Sequence, residues 1–496
     1  MALISSAPVW GLAVLTVVLG LVAARHLGRG GGALRRVTSA LLVVLTAALL
    51  SGTLAASANV HMGWFRTGGD LWRAVTGHGA PLDDSLPVEP LPAPGEGHTA
   101  GTSDAPDASL PQSLSGHPGS PAWTTSFAWD SRQRAWTAKV RGPASGLDRE
   151  VTVWTPPGYS PTSRTTYDVV VFLHGFPGSN VGVTRSLDVG ATIDGLMAHG
   201  ELRPTILVVA DLSMGGLPPD CVDVRGRAAV ETFLTQDLVQ SVRTNFPNVS
   251  GRRSGWLIGG ISAGAYCASV LYLRHQDQFW GAVAMSGYDT PELGVLSHAD
   301  RSVREAFTVS HMLASTDRSS ARMWLSGTPN DGDAMDLLER ATRAARPGDD
   351  ITVHVDLTGG HSWRTWAGQF PLALRWWTQG VADEGASGPR SAVTQPFTAP
   401  PSSQESTWLT RTMGLAGWGT LWASVLVSVG LLGAVVLLAP RTAWTGRARL
   451  WGHLVRLVGV GVVSAALCLC VIIVVNRSQG FFSSWGDLLD NWSMFF

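Results

Sequence analysis

Three short stretches hold the residue types that nucleophilic catalysis needs. The first is Gly260-Ile261-Ser262-Ala263-Gly264, a Gly-x-Ser-x-Gly pattern. Its glycines allow a turn sharp enough to expose the Ser262 hydroxyl, and a helix starting there would aim its N-terminal dipole at an anion formed nearby. The second is Gly359-Gly360-His361-Ser362-Trp363. Histidine can take a serine proton near neutral pH and return it to a leaving group. The third is Gly327-Thr328-Pro329-Asn330-Asp331-Gly332-Asp333, where the acid of a triad is expected. Asp331 and Asp333 both fit. Asp331 is favoured because it lies nearer the preceding strand, and Glu339 is a third choice. The acid would hold the imidazole tautomer and stabilise imidazolium. The competing readings are plainer: a glycine-rich turn whose serine caps a helix, a structural histidine, and carboxylates that cap or are solvated.

A fourth stretch, Leu173-His174-Gly175-Phe176-Pro177-Gly178, would complete the chemistry. With such a serine elbow, an oxyanion is held by one amide from this loop and one from the residue after the nucleophile. These are assigned to Phe176 and Ala263. Oriented amides of this kind are worth about 3–4 kcal/mol each. His174 reads as structural. Trp363 and Trp366 are candidates to line a substrate pocket, with packing the plainer role for one of them. No cofactor or metal is required. No Cys/His cluster has zinc spacing, and no phosphate loop of the P-loop type occurs. Cys221 and Cys267 could form a disulfide in an oxidising compartment, the alternative being two buried thiols.

Loops can hold such groups together only if a sheet brings them to one edge. The middle of the chain alternates β-branched runs with helical stretches, as an α/β sheet does. Strands are expected at 150–154, 168–173, 205–210, 254–258, 281–285, 322–326 and 351–357, and helices near 227–245, 263–275, 334–345 and 362–378. The four stretches then follow strand ends, where open α/β sheets place their sites.

The chain has 496 residues, of which 45% are hydrophobic and 15% charged, with a formal net charge of −1. This balance argues against nucleic acid as a partner. Apolar residues concentrate in four runs, about 9–24, 37–58, 414–439 and 454–475. Each is long enough, or nearly so, to span a bilayer. Arg25, Arg29, Arg35 and Arg36 crowd the first short loop, and Arg441, Arg447 and Arg449 the second. Arginine-rich short loops stay cytoplasmic, so the middle region is expected outside a plasma membrane crossed four times. The expected organisation is a membrane hairpin (1–60), a Pro/Gly/Ser-rich linker (61–122), an α/β-hydrolase domain (123–382), a second linker (383–413), a second hairpin (414–476) and an outer tail (477–496).

The stretch His361-Ser362-Trp363-Arg364-Thr365-Trp366, the Ser262 elbow and the Gly175-Phe176 loop resemble the esterase D and secreted mycolyltransferase group of α/β-hydrolases. The resemblance covers about residues 125–380. It implies a Ser/acid/His triad, a covalent acyl-enzyme, and transfer to water or a sugar hydroxyl. The expectation is therefore a membrane-anchored, extracytoplasmic serine esterase or acyltransferase. Its substrate would be an ester of a lipid or an acylated envelope component. The alternative is a non-catalytic envelope scaffold or binding protein that keeps a hydrolase-like domain.

Overall fold

Runs such as Asp168–Leu173 and Thr205–Ala210 are apolar almost throughout, which suits strands covered on both faces. In the computed structural model both are strands with every residue buried. The structure describes residues 3, 6–29, 31–65, 67–76, 88–93, 108–111, 121–131, 133–213, 220–387, 397, 415, 417–439, 447–479, 485–486 and 488–489. It divides into two units, Met1–Gly68 with Ser402–Phe496, and Gly69–Pro401.

The second unit is built on one nine-stranded, mostly parallel sheet. Its strands are β1 (Ala128–Asp130), β2 (Ala135–Arg141), β3 (Asp148–Trp154), β4 (Asp168–Leu173), β5 (Thr205–Ala210), β6 (Trp256–Ile261), β7 (Gly281–Met285), β8 (Arg322–Gly327) and β9 (Asp350–Val355), in the order β1-β2-β3-β5-β4-β6-β7-β8-β9. From β5 to β9 all neighbours are parallel, while β1, β2 and β3 pair antiparallel. Parallel pairing puts the C-terminal ends of β4, β6, β8 and β9 at one edge.

Several elements depart from expectation. β6 runs to Ile261 rather than stopping at Ile258, because Gly259 and Gly260 pair with Val283 and Ala284 of β7. A Cβ on Gly259 would sit 3.1 Å from Val283 Cβ, so the strand needs a bare backbone there. The hairpin β1–β2 was not expected. Its exposed side chains, Trp129 and Lys139 among them, give no continuous apolar run. The helices Asn180–Ser186 and Val189–Ala198, between β4 and β5, were also not expected. The helix after His361 runs from Trp363 to Ser387, past the expected boundary at 382.

The expected first linker also needs correction. Most of it, and most of the second, lies outside the described residues. Within it, Gly68–Thr76 is helical. Residues 88–93 and 108–111 lie against the sheet domain: Leu91 N–H donates to Asp223 O, Arg225 N–H to Glu89 O, and Leu110 N–H to Gly251 O. Leu110 and Ala93 are buried. A proline-rich chain without regular structure can still add backbone bonds to a neighbouring loop. Phe397, inside the second expected linker, donates its N–H to Thr342 Oγ1.

In the first unit, Ser6–Leu27, Ala33–Val60, Trp418–Leu438 and Leu450–Arg477 are long and apolar enough to cross a membrane. Leu21, Leu45, Leu426 and Val458 are among their exposed side chains, while Ala23, Val43, Val460 and Val463 pack together. Exposed faces of this kind suit lipid rather than water.

Cys221 and Cys267 are joined in a disulfide, with their Cα atoms 5.1 Å apart and a sequence separation of 46. Cys267 sits in the helix Ala263–Arg274, directly behind Ser262. Closing a loop of that length is worth about 4 kcal/mol in the chain-entropy account. Replacing both cysteines by alanine should therefore lower stability by about 2–4 kcal/mol. Thermal unfolding of the full chain in detergent, with and without reductant, measures this; identical melting of both proteins under both conditions would refute a structural role for the bond.

Candidate active site

Ser262 stands between the end of β6 and the helix Ala263–Arg274, with φ 54° and ψ −124°. That conformation is costly for a residue with a side chain, by about 1–3 kcal/mol. Its surroundings enforce it. Ser262 N–H is held by Met285 O at 3.0 Å. A Cβ on Gly260 would lie 2.4 Å from the Gly264 carbonyl, and one on Gly264 would lie 2.1 Å from Leu173 O. Backbone-to-backbone approach this close tolerates glycine alone, which explains both glycines of the motif.

His361 lies on the loop after β9. Its Nε2 is 2.9 Å from Ser262 Oγ and its Nδ1 is 2.9 Å from Asp331 Oδ2. The structure thus brings Ser262, His361 and Asp331 together. Asp331 also caps the helix Gly332–Ala344 through Ala334 N–H. Burial opposes ionisation of Asp331, but hydrogen bonding and charge from His361, with help from Ser286 and Ala334, hold its carboxyl below the usual range. Asp333 is exposed in the first turn of that helix, and Glu339 pairs with Arg343 one turn on. Neither reaches the imidazole.

Trp366 packs its ring at 86° to His361, with centroids 5.1 Å apart, and Trp363 packs on Trp366 at 5.2 Å. Both tryptophans are buried, so their larger role is to wall the imidazole. Ser362 and Thr365 bond to each other, and Thr365 Oγ1 accepts from Gly360 N–H, which fixes the loop that carries His361.

The loop after β4 runs beside Ser262. A Cβ on Gly175 would lie 3.0 Å from Ser262 Cβ. Among the described residues, neither Phe176 N–H nor Ala263 N–H is taken by a backbone carbonyl. Ala263 is the first residue of its helix, where an N–H has no internal partner. His174 is buried. Its Nε2 accepts from Leu212 N–H at 2.9 Å and its Nδ1 meets Gly175 O at 2.7 Å. It ties the loop after β4 to the end of β5, and both of its ring nitrogens are engaged.

Two residues near the site escaped the sequence reading, and both follow β7. Ser286 is buried, has φ 52°, and donates its N–H to Ser326 O. Its hydroxyl makes no fixed hydrogen bond of its own, yet it lies close enough to Asp331 to favour the charged carboxylate. Glu292 is exposed at one face, yet partial desolvation of its carboxyl, then the charges of Asp333 and Asp331, push it up to about 7, with His361 pulling the other way. The only sequence signal for either was position after the strand next to the one that carries Ser262. Among the described residues no three His, Cys, Asp or Glu side chains gather as a metal would require.

A family model described as "Putative esterase" matches residues 143–377, which contain every residue of this site. The match lies wholly within the sheet domain and supports a hydrolase activity for it. The esterase domain is also similar to an uncharacterized protein of Corynebacterium glutamicum, 26% identical over 237 residues, 45% of this chain and 55% of that protein. The chain therefore spans about half the length of that curated relative. Among solved structures, a ferulic acid esterase is similar at 20% identity, covering 52% of this chain and 97% of its own, with a TM-score of 0.41. An S-formylglutathione hydrolase from Agrobacterium tumefaciens is similar at 14% identity, covering 52% and 98%, with a TM-score of 0.40.

The raised Glu292 carboxyl has a consequence for stability. Between the ordinary carboxylate range and about 7 the folded esterase domain keeps Glu292 protonated while the unfolded chain ionises it. The unfolded state then binds fewer protons, so this group destabilises the fold as pH rises through that window. Glu292→Gln should raise the melting temperature at pH 8 and leave it unchanged at pH 4. Equal melting of variant and wild type at both pH values would contradict the assignment.

Proposed function

We propose that the chain is a membrane-anchored serine esterase or acyltransferase whose catalytic domain lies outside the plasma membrane. The observation that carries this reading is the continuous hydrogen-bond chain Ser262–His361–Asp331 at the C-terminal edge of the sheet. Ser262 Oγ attacks an ester carbonyl while His361 Nε2 takes its proton. Asp331 holds the imidazole and offsets its new charge. The developing oxyanion is held by the amides of Phe176 and Ala263, which have no backbone acceptor to give up. His361 then protonates the leaving alcohol, and the acyl-enzyme remains on Ser262. Water or a hydroxyl acceptor, deprotonated by the same imidazole, releases the acyl group.

Location narrows the substrate. Four helices fit for a bilayer argue for an ester carried by a lipid or a cell-envelope component. The Cys221–Cys267 disulfide suits an oxidising compartment, which agrees with the arginine-rich short loops on the other side.

A fluorophosphonate probe should label the wild type and leave Ser262→Ala unlabelled. Asp331→Asn should slow turnover of a p-nitrophenyl ester by on the order of 10³–10⁴-fold, whereas Asp333→Asn should change it by less than about threefold. An unlabelled wild type, or a larger loss in Asp333→Asn, would sink the mechanism. Orientation is checked separately. Thr166 is exposed on the sheet domain. A cysteine placed there should react with an impermeant thiol reagent on intact cells; protection until lysis would put the domain on the cytoplasmic side.

A further inference from the structure

A cavity of about 310 Å³ opens at the end of the sheet away from Ser262. β3 runs antiparallel to β5, with Val151 beside Ala210 and Trp154 beside Leu207. Trp154 therefore lies at the edge opposite the catalytic one. The cavity is lined by Trp129, Trp136, Trp154 and Tyr159, with Arg134 and Asp194 among the same walls. Its size falls in the roughly 300–1,000 Å³ range of small-molecule sites.

The lining is chemically selective. Trp129 is 50% exposed and meets Trp136 edge-to-face at 5.4 Å, so half of a large apolar ring is left uncovered. Trp136 Nε1 is already used by Thr155 Oγ1. Arg134 and Asp194 share the cavity without closing an ion pair on each other among the described residues. Burial raises the Asp194 carboxyl, and the Arg134 charge offsets this only in part. A purely apolar occupant would strip water from both charges and return nothing. An anion or a cation would attract one of them and repel the other.

The geometry points to a second binding site here, for a neutral saccharide ring: the C–H face of the sugar covers the Trp129 indole, and its hydroxyls donate to Asp194 and accept from Arg134. Such a site would hold the protein on a glycan, or hold the non-reacting sugar of a glycosylated ester, at a distance from the serine. The inference rests on β1 to β3 and their neighbours, and it stands whether or not Ser262 is a nucleophile.

Saturation-transfer NMR on the full chain in nanodiscs tests it, with maltotriose, mannotriose and chitotriose as probes. Ring protons of at least one probe should receive saturation from the wild type and equally from Ser262→Ala. Binding should weaken about tenfold in Trp129→Ala and in Asp194→Asn, the loss expected when one stacked or charge-assisted contact goes. Melting temperatures of both variants check that they remain folded, and Trp129→Phe, which keeps a ring, should bind with intermediate strength. No transfer to any probe would overturn the inference, as would transfer that both variants leave unchanged. So would brominated nanodisc lipids quenching the emission that distinguishes wild type from Trp129→Phe, which would assign this face to the bilayer.

Discussion

The candidate active site depends on one contact, the 2.9 Å approach of the His361 imidazole to the Ser262 hydroxyl across 99 residues of sequence. β6 and β9 are not neighbours. β7 and β8 stand between them, so the strand ends that carry the two residues are about 14 Å apart at ~4.8 Å per strand. The loop from Asp356 to His361 must run back over the ends of β8 and β7 to close that gap. Its course is fixed by polar contacts rather than by apolar packing alone. Asp356 N–H reaches Gly327 O, and Asn330 Nδ2 donates to Gly359 O. Buried Gln369 takes a bond from Ser326 Oγ and gives one to Asp356 Oδ2. The acid loop and the histidine loop are therefore fastened to each other before either meets the serine.

The serine is held by crowding. Three backbone segments, the end of β4, the end of β6 and the first turn of the helix Ala263–Arg274, approach too closely for any Cβ at Gly260 or Gly264. That crowding also forces the strained backbone of Ser262 and turns its hydroxyl toward the histidine. The stability needed to maintain such strain comes from the surrounding core, where β4 to β7 are wholly buried.

A buried charge cluster steadies the far end of the helix Ala263–Arg274. Glu231 is fully buried and bonded to both Arg274 and His275, which close that helix. His275 and Arg274 lower the Glu231 carboxyl against the opposing effect of burial. Arg274 also donates to Leu91 O, so the same side chain clasps the proline-rich segment to the domain. The disulfide from Cys267, two turns earlier along the same helix, adds a covalent brace. Removing one partner of such a buried cluster leaves a charge without compensation, which is far costlier than losing a surface pair.

Sequence alone determined the apolar helices, the central buried strands, and the short motifs around Ser262, His361 and Asp331, because each is a local pattern of period or spacing. It left Asp331 and Asp333 as alternatives. They are two residues apart and chemically identical, and only the path of the loop after β8 turns one toward the imidazole and the other to solvent. The hairpin β1–β2, with its tryptophan-lined cavity, was illegible because the short edge strand β1 and its neighbour β2 hold no continuous apolar run. Ser286 and Glu292 were illegible for a different reason: nothing in their neighbours marks them. They matter only because β7 lies beside β6, and strand adjacency is a property of the folded sheet, set by which apolar faces bury one another over long separations in the chain.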